Sequence, residues 1–218
     1  MKKPNRRIIL GAVAALTLIT GVTACGENTG TNGRSAIERA DDYGMGEVNA
    51  PVTIVEYASL TCPHCATFHQ TIFPELKSKY IDTGKVRFVF RQFPTAPARL
   101  AVGGEAIASA DNYFELLDLL FEKQRFWVYS QNPGQALRDI GATVGITPEE
   151  FEACIADKEN VTRIQEVGNH AIETWGIRGT PSFIINGELA ENMATIDDFI
   201  AKLDPLLGET TITEEGKK

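Results

Sequence analysis

Val52-Thr53-Ile54-Val55-Glu56-Tyr57-Ala58-Ser59-Leu60-Thr61-Cys62-Pro63-His64-Cys65 is the stretch that decides the fold. Its first half is rich in β-branched and aromatic residues without clean polar alternation, as expected of a central strand covered on both faces, and Pro51 limits its start. From Pro63 an apolar stripe at Cys65, Phe68, Ile72, Leu76 and Tyr80 keeps helical spacing; Pro63 suits the first turn and Pro74 is expected to bend the helix midway. Two thiols therefore stand at a strand-to-helix junction. Unpaired N–H groups and the partial positive charge of a helix N-terminus favour a thiolate over a thiol, and the thiolate is the form that attacks disulfides.

Downstream, the turn Asp82-Thr83-Gly84-Lys85 ends the helix, and Val86 to Phe93 is a second strand stopped by Pro94 and Pro97. From about Arg99 to Trp175 the pattern is entirely helical, with apolar groups at Leu116, Leu117, Leu120 and Phe121, and again at Leu137, Ile140 and Val144. Thr147-Pro148-Glu149-Glu150 is a capping box that starts a helix carrying Phe151, Cys154 and Ile155. A further stripe runs from Val161 to Trp175 and stops at Gly176. Strand character returns at Ser182 to Ile185, turns at Asn186-Gly187 and pairs back through Glu188 to Ala190. A last helix, capped by Thr195 and Asp198, buries Ile196, Phe199, Ile200, Leu203 and Leu207. The order is a βαβ half, a helical insertion and a ββα half, an α/β domain built on one sheet.

The ends carry a different message. Lys2, Lys3, Arg6 and Arg7 precede an apolar run from Ile8 to Ala24, the layout of an export signal over residues 1–24. The Arg6-Arg7 pair matches twin-arginine export poorly in its flanks. Val22-Thr23-Ala24-Cys25 resembles a bacterial lipobox, which would make Cys25 a lipidated anchor; a plain cleavage site or an uncleaved anchor would leave it an ordinary thiol. Gly26 to Gly33 is mostly Gly, Asn and Thr, so residues 25–40 read as the lipidated cysteine and a flexible tether, residues 41–208 as the folded domain, and residues 209–218 as a polar tail.

Without residues 1–24 the chain has 17 basic against 29 acidic residues, a net charge of −12, which argues against nucleic acid as a partner. Setting Cys25 aside leaves Cys62, Cys65 and Cys154, an odd number in a chain addressed to an oxidising compartment. A framework of structural disulfides is not expected, and a working Cys62/Cys65 pair is favoured. The alternatives for that pair are a structural disulfide or half of a zinc site, but a four-thiolate site needs a second pair that the chain lacks.

These features together resemble the DsbA family of thiol-disulfide oxidoreductases, in particular the branch in which a segment like Ala50-Pro51-Val52-Thr53-Ile54-Val55-Glu56-Tyr57 leads into Cys62-Pro63-His64-Cys65. The resemblance covers roughly Gly46 to Leu207 and implies a thioredoxin fold with an all-helical insertion at about 99–175. It implies that Cys62 is the attacking, partly exposed cysteine, that Cys65 is the buried resolving one, and that Pro63 and His64 tune them. Gly179-Thr180-Pro181 matches the family loop whose proline is cis and faces the dithiol, leaving the Thr180 backbone to pair with an extended substrate. Glu56 occupies the place of the family's buried acid. A carboxyl on a covered strand is costly to ionise, so it suits proton exchange with Cys65; the alternative is an edge-facing Glu in water.

The resemblance implies an enzyme that introduces disulfides into reduced, unfolded exported proteins of the cell envelope, with His64 as imidazolium helping to lower the pKa of Cys62. Reoxidation would come from a quinone-linked, DsbB-like membrane partner, and the protein would face the periplasm on its lipid anchor. A reductase or isomerase shares the fold and the dithiol, and a chaperone-like binding module is the alternative from another class. No cofactor or metal is needed. Cys154 reads as a small buried hydrophobe, His69 and His170 as surface or packing residues without a ligand cluster, and Trp127 and Trp175 as filling for the helical block or its junction with the sheet. Gly103-Gly104 lacks the spacing of a phosphate loop.

Overall fold

Val52–Ala58 forms the middle of a five-stranded sheet, and every one of its side chains is buried. A computed structural model describes residues 35–96, 103–104, 107 and 112–209. The expected export signal, Cys25 with most of the expected tether, most of residues 97–111 and most of the expected polar tail lie outside the described residues. The strands are β1 (Tyr43–Met45), β2 (Val52–Ala58), β3 (Val86–Gln92), β4 (Ser182–Ile185) and β5 (Glu188–Ala190), in the order β1-β3-β2-β4-β5. β2 runs parallel to β3, and the other three pairings are antiparallel.

Strand periodicity divides the core in two. Val52, Ile54 and Ala58 of β2, with Phe88 and Phe90 of β3, pack into the main cluster under helix α1 (Pro63–Thr71) and the helical insertion. Val55, Tyr57, Val89 and Ile184 face the opposite layer, where Val167 and Ala171 of the long helix Lys158–Trp175 cover them. Glu56 falls on the first of these faces, beneath α1, because it shares parity with Ile54. Burial on both faces accounts for the missing polar alternation.

The helix after the dithiol is interrupted earlier than its stripe predicts. α1 stops at Thr71, α2 covers Phe73–Leu76, and Lys77–Ile81 winds as a π turn in which the Asp82 N–H reaches Lys77 O at 2.9 Å. Pro74 has no N–H to offer the preceding turn, so the ladder breaks just ahead of it. Tyr80 nevertheless ends up fully buried, and its hydroxyl donates to Asp204 Oδ1 at 2.6 Å.

β1 is an element the periodicity does not announce, three residues with Gly44 in the middle. It is held by two arginines of β3. Arg87 Nε donates to Glu38 Oε1 at 2.8 Å and its Nη1 to Gly46 O at 2.8 Å. Arg91 donates to both carboxylate oxygens of Asp42, at 2.9 and 2.6 Å, and to the Tyr57 hydroxyl at 2.8 Å.

The described part of the insertion comprises α3 (Tyr113–Glu122), α4 (Gln124–Val128), α5 (Pro133–Thr143), α6 (Pro148–Ala156) and α7 (Lys158–Trp175). The Thr147/Glu150 capping box starts α6, and Gly176, at φ 68°, closes α7 in the left-handed region that glycine adopts without a Cβ penalty. Trp127 is fully buried in the insertion. Cys154 is buried as well, but as a disulfide-bonded residue and not the free small hydrophobe expected. The domain ends in α8 (Ile196–Leu206), opened by a Thr195/Asp198 capping box. Among the described residues no helix is long and apolar enough to cross a membrane.

Candidate active site

Cys62 is the cap of α1, with extended backbone angles (φ −82°, ψ 120°) and Pro63 at the first helical position, where a missing N–H costs nothing. Its amide donates to Ser59 O at 3.0 Å and its carbonyl accepts the Ala66 N–H at 3.2 Å, so the turn and the helix are stitched together through this residue. Both cysteines are free thiols. Cys62 keeps 8% of its surface exposed and Cys65 none. Across from them the Thr180–Pro181 bond is cis, and the Cys62 thiol reaches Thr180 O at 3.4 Å. That contact favours the protonated thiol and is given up when the sulfur ionises.

The two sulfurs are driven apart electrostatically. The Cys65 thiol, donating to the Cys62 sulfur, is the largest cause that brings Cys62 down to about 5; burial opposes it, and the Thr180 side chain and the backbone N–H groups of Cys65 and His64 add to the lowering. Cys65 is pushed far up, first by its burial, then by its bond to Cys62 and by the nearby charges of Glu56 and Cys62, with a backbone bond to Ser59 acting against them. One thiol is therefore an anion at neutral pH while its neighbour holds its proton.

Beneath the pair, Glu56 is fully buried and one of its oxygens, Oε2, lies 2.8 Å from His69 Nε2. His69 is buried too, stacked on Phe121 at a ring separation of 4.2 Å and flanked by Phe73 at 4.9 Å. Glu56 Oε1 and His69 Nδ1 have no hydrogen-bond partner among the described residues.

The Thioredoxin family model matches residues 38–205. The chain belongs to the thioredoxin family. Within it the chain is DsbA-like: it superposes on Wolbachia pipientis alpha-DsbA1 with a TM-score of 0.73 at 30% identity, covering 79% of this chain and 94% of that one. The oxidised BdbD of Bacillus subtilis shares the fold, at a TM-score of 0.68 and 24% identity. Among sequence relatives, disulfide bond formation protein D of Bacillus subtilis is 32% identical over 164 residues, 71% of this chain and 72% of the relative. A protein-disulfide oxidoreductase of Rickettsia prowazekii, so named, is 38% identical over 174 residues. The chain spans 61% to 66% of the length of the rickettsial relatives it matches.

In this DsbA-like frame the structure brings Cys62, Pro63, His64, Cys65, Thr180 and Pro181 to one end of the central strands β2 and β4, with Glu56 below them. Cys25 lies outside the described residues. His64 is exposed, and its backbone N–H is among the groups that lower Cys62. Of the two readings of His69, packing holds, and beyond it the ring is the hydrogen-bond partner of Glu56; its place four residues after Cys65 on one helix face was the available signal. His170 is exposed on α7, as expected of a surface residue.

Gln124 was invisible to sequence reasoning. It sits at the start of α4, and its side-chain amide donates to Leu60 O at 2.8 Å and to Cys62 O at 2.9 Å. α1 walls one side of an open cleft of about 750 Å³ with Pro63, Ala66 and Thr67, and α3 and α4 wall the other with Phe121, Arg125 and Phe126. Phe126 and Tyr129 leave 81% and 73% of their surfaces exposed there.

Proposed function

We propose that this protein is a thiol-disulfide oxidoreductase that introduces disulfide bonds into exported cell-envelope proteins by exchange at Cys62/Cys65. The observation that carries the reading is the split between the two thiols, Cys62 lowered to about 5 and Cys65 raised, at the head of α1 and opposite Thr180 O. A lowered attacking thiol is a better leaving group, which stabilises the reduced form and makes the disulfide form an oxidant. The family membership and the name of the Bacillus subtilis relative point the same way.

A substrate thiolate attacks Cys62 Sγ of the oxidised protein. The Cys62–Cys65 bond breaks, Cys65 leaves with the electron pair and takes a proton, and a mixed disulfide remains. A second substrate thiolate then attacks the substrate sulfur of that bond, the substrate disulfide forms, and Cys62 departs as a thiolate. The substrate has lost two electrons and two protons; the Cys62/Cys65 pair has gained the electrons. In this reading Glu56, whose charge bears on Cys65, passes the Cys65 proton. The Thr180 backbone pairs with the extended substrate, and Pro63 and His64 shape the turn that presents Cys62.

In this reading residues 1–24 direct export, Cys25 carries the lipid, residues 25–40 tether the domain to the envelope membrane, and a DsbB-like, quinone-linked membrane protein reoxidises the pair. Lipid addition leaves the Cys25 sulfur as a thioether. A Cys25 thioether and a Cys25–Cys154 disulfide exclude each other, so non-reducing peptide mapping of the exported protein tests the anchor, and a Cys25–Cys154 peptide overturns it.

The decisive experiment is Cys65→Ala in the exported chain. With no resolving thiol, substrates stay on Cys62 as mixed disulfides that mass spectrometry identifies. Absence of Cys62-dependent adducts during growth, together with failure of the oxidised wild-type domain to oxidise a reduced, unfolded polypeptide, overturns the proposal. An equilibrium with glutathione that strongly favours the protein disulfide indicates a reductant instead.

A further inference from the structure

We propose that Gln124 is a positioning residue for the redox pair, through which the helical insertion sets the geometry and the charge balance of the Cys62 turn. The side chain is 4% exposed, and its single amide spans two backbone carbonyls that bracket Thr61-Cys62, donating to Leu60 O at 2.8 Å and to Cys62 O at 2.9 Å. A buried amide is costly unless its hydrogens are used, and here both are.

The two carbonyls matter because of what lies next to them. Each carries partial negative charge beside the sulfur that must become an anion. Donors aimed at them offset that charge and add the positive ends of two N–H dipoles to the turn that carries the thiolate. The Cys62 carbonyl also accepts the first helical bond of α1, from Ala66 N at 3.2 Å, so the clamp fixes the angle at which the helix N-terminus points at Sγ. Gln124 is itself held in place. Trp127, three residues further on, is fully buried, and its Nε1 donates to Leu120 O at 2.8 Å, which ties the five-residue helix α4 back to α3.

The inference rests on Cys62 being the attacking thiol of the proposed function. Two variants test it in the folded domain: Gln124→Met, which keeps the volume and removes both donors, and Gln124→Asn, which keeps the amide but shortens its reach. The readouts are the thiolate absorbance of reduced protein titrated from pH 3 to 10, the equilibrium constant with glutathione, and the melting temperature of each redox form. In Gln124→Met the thiolate midpoint moves up, and the glutathione equilibrium shifts toward the protein disulfide by about threefold to tenfold, the size of a lost neutral hydrogen bond. Gln124→Asn falls between this variant and the wild type, and it serves alone if Gln124→Met does not fold.

A merely structural clasp would lower the melting temperature and leave midpoint and equilibrium constant within twofold of wild type in both variants; that result overturns the proposal. Failure of the underlying reading looks different. Then Cys62→Ser does not abolish the low-pH thiolate signal, whatever residue 124 is.

Discussion

His69 Nε2 lies 2.8 Å from Glu56 Oε2, in a place where neither side chain meets solvent. The carboxyl comes from the central strand and the imidazole from the turn of α1 after Cys65, so the pair joins sheet to helix directly below the resolving thiol. Asp118, on α3, is the other acid that bears on His69; its carboxyl is raised by desolvation, with the His69 and Lys77 charges acting against that. The surroundings are otherwise aromatic, from Phe73, Phe90 and Phe121.

Removing one member of this pair leaves the other buried with an unmet hydrogen bond. His69→Phe and Glu56→Leu are each expected to destabilise the domain by about 3–5 kcal/mol. The double variant recovers most of that loss, since two apolar groups replace two polar ones. Denaturant unfolding of the four proteins measures the coupling, and additive losses would show that the pair is not an energetic unit.

With Cys62 lowered to about 5 and Cys65 raised, alkylation of the reduced protein by iodoacetamide should occur at Cys62 and be half-maximal near pH 5, where an ordinary thiol needs a pH near 9. The stability consequence follows in sign. A group lowered in the folded state stabilises that state fully above its unfolded value, so the reduced domain gains on the oxidised one toward pH 9 and loses that gain as pH falls through about 5. Thermal melts of both redox forms between pH 4 and 9 check the crossing.

Arg91 is buried against Asp42 and the Tyr57 hydroxyl. Arg91→Met removes the buried ion-pair partner of the Asp42 carboxylate, with an expected loss of about 3–5 kcal/mol. Residues 35–45 should then be the first segment cut in limited proteolysis, and an unchanged digestion pattern would show that β1 is held by its ladder alone.

A Cβ on Gly104 would come within 2.9 Å of Leu60 Cδ1 and 3.6 Å of the Trp127 ring. Leu60 is fully buried two residues before Cys62. Gly104→Val should therefore cost about 1–3 kcal/mol through overpacking. Its second effect, a changed Cys62 alkylation rate, separates it from Phe126→Ser, which removes an exposed ring and should leave stability within about 0.5 kcal/mol of wild type.

Much of this molecule was legible along the chain. The Val52 to Tyr57 run, rich in β-branched and aromatic residues without polar alternation, marked a strand buried on both sides, Thr147/Glu150 and Thr195/Asp198 announced their helices, Asn186-Gly187 set its hairpin, and Cys62-Pro63-His64-Cys65 placed two sulfurs at a helix start. These are local signals, in which neighbouring residues satisfy one another's backbone or share one face of one element. The ionic pinning of β1 by Arg87 and Arg91, the meeting of His69 with Glu56 and the reach of Gln124 to Leu60 and Cys62 were not legible. Each joins residues 13 to 64 positions apart whose own neighbourhoods look like ordinary helix or strand. Sequence alone determined which residues could become strand, helix and reactive thiol. Tertiary packing decided which polar groups were stripped of water and which partner each then found, because desolvation acts only after distant segments close on one another.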